Sequence, residues 1–270
     1  MAKTETAIVQ ADVEEYLLKV SDFSFEMQVL HALIALGFKC QHSATYRDPV
    51  TNKARQFDIR AFRVNQRTNL TLVVECKNLR DTSPLLVQTT PRLGWESYHD
   101  LIVRKYEHLW YGSVHRMSAP HSVYQRLRPV GRQTDQVSRK QDGSFLTSDG
   151  PVYEKIAQSL NGAYELLTDA IARGNANMVV SVIPMLLVPA DRLWVLEYNS
   201  EGTVARGPSV TDKVTLFVDH VWPLSHAHGT APFSLSHLEI ISLPALSARI
   251  DELAGSHGLF QSTAALLPTE

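Results

Sequence analysis

Cysteine is nearly absent: Cys40 and Cys76 are the only two in 270 residues. Two thiols exclude a disulfide scaffold and suit a reducing compartment. Neither charge is in excess, with 26 Lys and Arg against 28 Asp and Glu and a net charge of −2. A uniformly basic protein that coats nucleic acid is thereby excluded, although an even balance leaves room for a local patch. Apolar runs long enough to span a bilayer are missing, and the first residues, MAKTETAIVQ, carry no apolar leader segment. The expectation is a soluble, cytoplasmic protein with no membrane association. There is no G-x-x-x-x-G-K-[ST] loop, no internal repeat, no low-complexity stretch and no helix-turn-helix or zinc-finger pattern.

What remains is an ordinary globular composition, 44% hydrophobic and 20% charged, long enough to bury a sizeable core in one large domain. Ala11 to Val20 reads as a short amphipathic helix. SDFSFEMQVLHALIALGFKC then predicts a second, with Ser24 as N-cap, an apolar face of Phe25, Val29, Ala32, Leu33 and Leu36, and Gly37 as its stop. A strand is expected around Gln41 to Tyr46. In QFDIRAFRV the alternation places Phe57, Ile59 and Ala61 on one face and Gln56, Asp58 and Arg60 on the other. The short link NQRTN then leads into LTLVVECK, so the two strands should form an antiparallel hairpin.

Residues 80–150 loosen into Pro-, Gly- and Ser-punctuated sequence read as short helical pieces, an insertion after the hairpin. Within it, Arg104 to Lys140 carries eight basic residues: Arg104, Lys105, Arg116, Arg126, Arg128, Arg132, Arg139 and Lys140. Glu107 and Asp135 oppose them, and Tyr106, Trp110, Tyr111 and Tyr124 are interleaved. Basic residues mixed with aromatics suit phosphate and base contacts, while a solvated insertion would look the same. Val152 to Gly174 is a strong helix with Ile156, Leu160, Ala163, Leu167 and Ile171 inward. MVVSVIPMLLV, RLWVLEYNSEG, VTLFVDHVW and HLEIISL follow as strands, and PALSARIDEL as a closing helix. The order predicts one α/β domain with a mixed sheet.

Charge at the end of an apolar strand needs a reason, because unpaired charges are costly to bury. In LTLVVECKNL, Glu75 and Lys77 share one strand face, and Leu72, Val74 and Cys76 share the other. The hairpin sets Asp58 near Glu75 or Lys77. Two converging carboxylates repel unless a positive group stands between them, and a hard divalent cation with oxygen ligands meets that need. Glu26, in the first turn of its helix, either joins them or complements the helix dipole. The alternative for the whole set is a surface ion-pair cluster.

These residues resemble the PD-(D/E)xK nucleases, the restriction-endonuclease-like superfamily. The resemblance rests on Glu26 in the first core helix, Asp58 in RQFDIRAF and Glu75-Cys76-Lys77 in VVECK; the lead-in YRDPVTNKARQFDIRAF is also similar to that of bacterial members. Phe57 stands where the name-giving proline would be. The resemblance implies a restriction-endonuclease-like core, a central mixed sheet flanked by helices. It also implies Mg²⁺-dependent hydrolysis of DNA phosphodiester bonds, with Mn²⁺ able to substitute, in bacterial defence or repair. Asp58, Glu75 and the backbone carbonyl of Cys76 would hold the metal, Glu26 would be an outer or second-metal ligand, and Lys77 would orient the attacking water. Lys155 and Gln158, on the helix that follows, together with Arg126 and Arg128, would touch substrate. Alternatives are a catalytically silent module of the same fold or an RNA-directed nuclease. Specificity would come from the basic insertion, a homodimer or a partner subunit.

Two other features look chemical. VDHVWPLSHAHGT opens like an HNH motif at Asp219-His220, but that motif needs a later asparagine, and none follows Asn199. His220, His226, His228 and His237 read as solvated histidines rather than a transition-metal site. Cys76 reads as a reduced core residue, not a nucleophile.

Overall fold

Val152, Ile156, Leu160, Ala163, Leu167 and Ile171 recur every three or four residues, and in the computed structural model they form the buried face of one long helix. Each such aliphatic side chain contributes about 1.5–3 kcal/mol when fully buried. The structure describes residues 6–49, 51–105, 111–119, 121–148, 150–172, 177–226 and 229–255. Tyr106, Glu107, Trp110, Gly174 and His228 of the sequence reading lie outside these residues, as do the side chains of Tyr111 and His226.

Two helices open the chain, α1 (Gln10–Lys19) and α2 (Phe23–Ala35), and a hairpin-rich segment follows: β1 (Lys39–Arg47), β2 (Ala54–Asn65) and β3 (Thr68–Cys76). Next come β4 (Leu85–Pro91), β5 (Tyr98–Lys105), β6 (Tyr111–Ser118), β7 (Pro129–Arg139) and β8 (Phe145–Ser148). The long helix, α3 (Gly150–Ala172), precedes β9 (Met178–Val188), β10 (Leu193–Tyr198), β11 (Val204–Val210), β12 (Lys213–His226), β13 (Gly229–Ser242) and α4 (Leu246–Ala254).

All thirteen strands join one mixed sheet, whose main path runs β1-β2-β3-β9-β13-β12-β7-β4-β10-β11. β3, β9 and β13 are parallel, and β1, β2 and β3 are antiparallel neighbours. One face carries a core that includes the apolar side of α3; the other carries a core that includes Phe25, Val29 and Leu33 of α2 and Leu246, Ile250 and Leu253 of α4. The chain is thus α/β, with a mixed sheet flanked by helices. Among the described residues no helix is long and apolar enough to cross a membrane.

Three expectations are corrected. Residues 80–150 are chiefly five strands with a short helical turn at Gly94–Glu96, and β4 and β5 pair with β10 and β9 of the common sheet. Their punctuation marks the turns of a strand-rich segment instead of a loose loop. Ser24 is not the N-cap of α2; Asp22 holds that position, and its carboxylate is turned toward Lys77 and Asn78. The single-face alternation of β2 also fails. Ile59 and Ala61 enter the core beneath α2, whereas Phe57 enters the one beneath α3. The faces change over at Asp58, where the β1–β2 pairing passes from His42–Ile59 to Ala44–Phe57 and Ser43 adopts φ +52°.

Candidate active site

The β2–β3 pairing reaches Ile59–Val74, and the next step along the hairpin brings Asp58 to the end of β3. There the backbone N–H of Cys76 donates to Asp58 Oδ2 at 2.7 Å. Glu75 follows Val73 by two residues and shares its α3-facing side, so the helix above decides what the carboxylate meets. That group is Lys155. Its ammonium donates to Asp58 Oδ1 at 3.1 Å and Oδ2 at 2.8 Å, and stands 2.8 Å from Glu75 Oε2. The last approach is an ion pair outside hydrogen-bond geometry, so neither oxygen of the fully buried Glu75 carboxylate has a hydrogen-bond partner.

The electrostatics follow from that burial. Removal from water, reinforced by Asp58, pushes the Glu75 carboxyl above the usual carboxylate range, against the opposing pull of Lys155. Burial pulls Lys155 down, but Glu75 and Asp58 outweigh it and hold the ammonium above its ordinary range. Tyr46 packs against Phe57 with its hydroxyl buried and without a hydrogen-bond partner. Burial, helped by Asp48 and Glu75, raises that hydroxyl to about 12. Cys76 is fully buried, and burial pushes its thiol well above the usual range, in keeping with an inert core residue.

Beside this cluster lie two further pairs. Lys77, just past the end of β3, donates to Asp22 Oδ2 at 2.9 Å, and the Asn78 N–H donates to Asp22 Oδ1 at 2.8 Å. Glu26 Oε2 lies 2.9 Å from His42 Nε2. A cleft of about 630 Å³ opens next to Asn78, walled by Tyr16, Val20, Arg80 and Arg192 together with the carboxylates Asp12, Glu15 and Asp81.

The structure therefore brings Asp58, Glu75 and Lys155 into direct contact, and places Lys77 on Asp22 and Glu26 on His42. Gln158 lies one turn beyond Lys155 on α3, half-buried. Arg126 and Arg128 are exposed ahead of β7, four strand positions from β3 in the sheet. Sequence reasoning missed Asp22, His42 and Tyr46. Only Asp22 carried a signal, as a capping-type residue directly before an apolar helix.

Three of the eight basic residues are committed internally: Arg116 binds Asp100, Arg132 binds Glu96, and Arg104 is buried. Asp219 accepts from Ser234, and Tyr98 also donates to it, while His220 stacks on Trp222. His237 is not solvated: it is buried, stacked on Tyr124 at 3.8 Å between ring centres, with Arg92 Nε 3.1 Å from its Nε2.

Among the described residues no group of three or more His, Cys, Asp and Glu could hold a metal. Two carboxylates with oxygen donors, one of them buried without a hydrogen bond, nevertheless match what Mg²⁺ asks of a protein. That ion commonly takes one or two carboxylates and completes its shell with water and substrate phosphate. Comparison of the chain with protein-family models, curated proteins and solved structures found no match.

Proposed function

We propose that this chain is a metal-dependent nuclease with a restriction-endonuclease-like core, hydrolysing phosphodiester bonds of DNA. The observation that carries the reading is the buried Glu75 carboxylate, unpartnered by any hydrogen bond, beside Asp58 and under the Lys155 ammonium. A carboxylate pair of this kind is unfavourable for folding alone. Asp58, Glu75 and the carbonyl of Cys76 would hold Mg²⁺, which supplies Lewis-acid activation of the phosphate and of the attacking water. Lys155 is the ammonium positioned at the reacting centre, where it would offset charge developing on the phosphate. Lys77 is held by Asp22 at the rim of the cluster, away from both carboxylates.

One observation favours a second reading. Lys155 already supplies a positive charge between the two carboxylates, so the same cluster would be self-sufficient in a catalytically silent module of the same fold. One experiment separates the two. Supercoiled plasmid, linear duplex, single-stranded DNA and RNA are incubated with Mg²⁺ or Mn²⁺, wild type beside Asp58→Ala and Glu75→Ala, with an EDTA control. Metal-dependent cutting that both variants lose supports the nuclease. Cutting that persists in both would sink the site.

A further inference from the structure

We propose that the strip formed by Leu93, Gly94 and Trp95 beside Arg126, Leu127 and Arg128 is a second nucleic-acid surface, one that grips a single strand. The two segments run side by side: the Arg92 N–H donates to the Arg128 carbonyl at 3.0 Å, and the Leu127 N–H to the Arg92 carbonyl at 3.4 Å. Gly94 lies under Arg126, whose Nε would be 3.5 Å from a Cβ built there. The strip presents large apolar groups to water, with Trp95 63% and Leu127 82% exposed. Leu127 is held outward at φ +61°, a backbone conformation that a leucine rarely adopts. Strain of this kind persists where surrounding structure enforces it, and it gathers at binding surfaces.

Charge decides what the strip fits. Arg92, Arg116 and Arg132 are committed to His237, Asp100 and Glu96. Arg126 and Arg128 are exposed, with no acidic partner among the described residues. Trp95 is braced by an edge-on contact with Phe217 at 5.4 Å between ring centres. A braced, exposed indole on a strip that also carries two exposed guanidinium groups suits a base stacked on the ring with phosphates held nearby. In a duplex the faces of the bases are hidden, so the strip selects unpaired strands.

Its place in the fold connects it to the carboxylate site without merging the two. Glu75 is the last residue but one of β3, Pro91 ends β4, and Pro129 begins β7. The pairings from β3 through β9, β13, β12 and β7 to β4 put these ends on the same edge of the sheet. Five strand spacings separate β3 from β4, about 24 Å at the usual spacing of ~4.8 Å. A strand held at Trp95 could run along that edge toward Asp58.

The test is fluorescence anisotropy of labelled oligothymidylate, its RNA counterpart and a duplex, with the full chain in EDTA over a range of salt. Wild type should bind the single strands more tightly than the duplex, with affinity falling as salt rises. Arg126→Glu/Arg128→Glu should weaken binding at least tenfold and reduce the log–log salt slope by about 1.4, at ~0.7 per lost phosphate contact. Trp95→Ala should weaken it roughly 5- to 100-fold, with partial rescue by Trp95→Phe. Binding is read in EDTA, where nothing is cut, so loss of cutting and loss of gripping can be told apart. The proposal is overturned if both strip variants bind single strands within about twofold of wild type, if duplex is preferred, or if wild type binds none of the three.

Discussion

Lys155 Nζ stands 2.8 Å from Oε2 of Glu75 across the space between α3 and the end of β3. That distance joins a helix to a strand through the one buried carboxylate in the cluster that no hydrogen bond satisfies. Lys77, two residues from Glu75 in sequence, is instead 2.9 Å from Asp22. Proximity in sequence and proximity in space assign the reacting lysine differently, and the spatial assignment can be tested.

Under the proposed function, Lys155→Ala should lower metal-dependent cleavage by at least about 100-fold, the scale seen when a preorganised electrostatic contact to a transition state is removed. Lys77→Ala should lower it by only roughly tenfold, because its ammonium is already held by Asp22 and touches neither carboxylate. Single-turnover rates on plasmid DNA check both. A larger loss in the Lys77 variant would return the central role to that residue.

The same pair makes a prediction about stability that holds whether or not the chain cuts DNA. Replacing one partner of a buried ion pair strands the other, typically costing about 3–5 kcal/mol. Lys155→Met should therefore destabilise strongly, since Glu75 is fully buried. Adding Glu75→Gln should recover most of the loss, because a neutral amide no longer needs the ammonium. Urea unfolding of the two single variants and the double variant measures the coupling, and strictly additive effects would refute it.

Acid sensitivity should come from the middle of the sheet. His99 donates to or accepts from Ser181 at 2.8 Å, and burial depresses it to about 4. Burial, with Arg92 beside it, depresses His237 to about 2. A histidine whose folded pKa lies below its unfolded value of ~6.5 binds protons preferentially in the unfolded chain as pH falls. Their contribution is fully present above about pH 6.5 and declines below it, by up to about 1.4 kcal/mol per pH unit for each ring. Stability measured from pH 7 to pH 4 should fall with a slope that His99→Gln reduces. An unchanged slope in that variant would remove His99 from the account.

Much of the frame was legible because it depends on local periodicity. The alternation of LTLVVEC and the three-to-four spacing from Val152 to Ile171 each encode a buried face, and the short link after Asn65 encodes the hairpin. Asp58 and Glu75 could be brought together by counting along that hairpin. Lys155 could not be centred in this way, because its position depends on how α3 lies across β3, a long-range packing outcome that no local pattern carries. The strands between residues 85 and 148 were missed for a related reason. Their partners β9, β10 and β12 lie far along the chain, and the turn residues between them imitate a loose loop.

Packing of α3 on the sheet turns on Gly162. A Cβ at that position would lie 2.8 Å from Cδ1 of Phe57 and 3.2 Å from Cγ1 of Val73. Phe57 immediately precedes Asp58, and Val73 is two residues before Glu75. Gly162 lies seven residues after Lys155, two turns along the same helix face. In an open helix interior, glycine to alanine stabilises by about 1 kcal/mol. Here the added methyl must move a buried ring, so Gly162→Ala should instead destabilise by about 1–3 kcal/mol. Because the displacement lifts α3 away from β2 and β3, it should also lengthen the reach from Lys155 to both carboxylates and lower cleavage. Calorimetric Tm and plasmid cutting should therefore fall together. A raised Tm would show that α3 has slack over Phe57, and the close approach would then no longer explain where Lys155 sits.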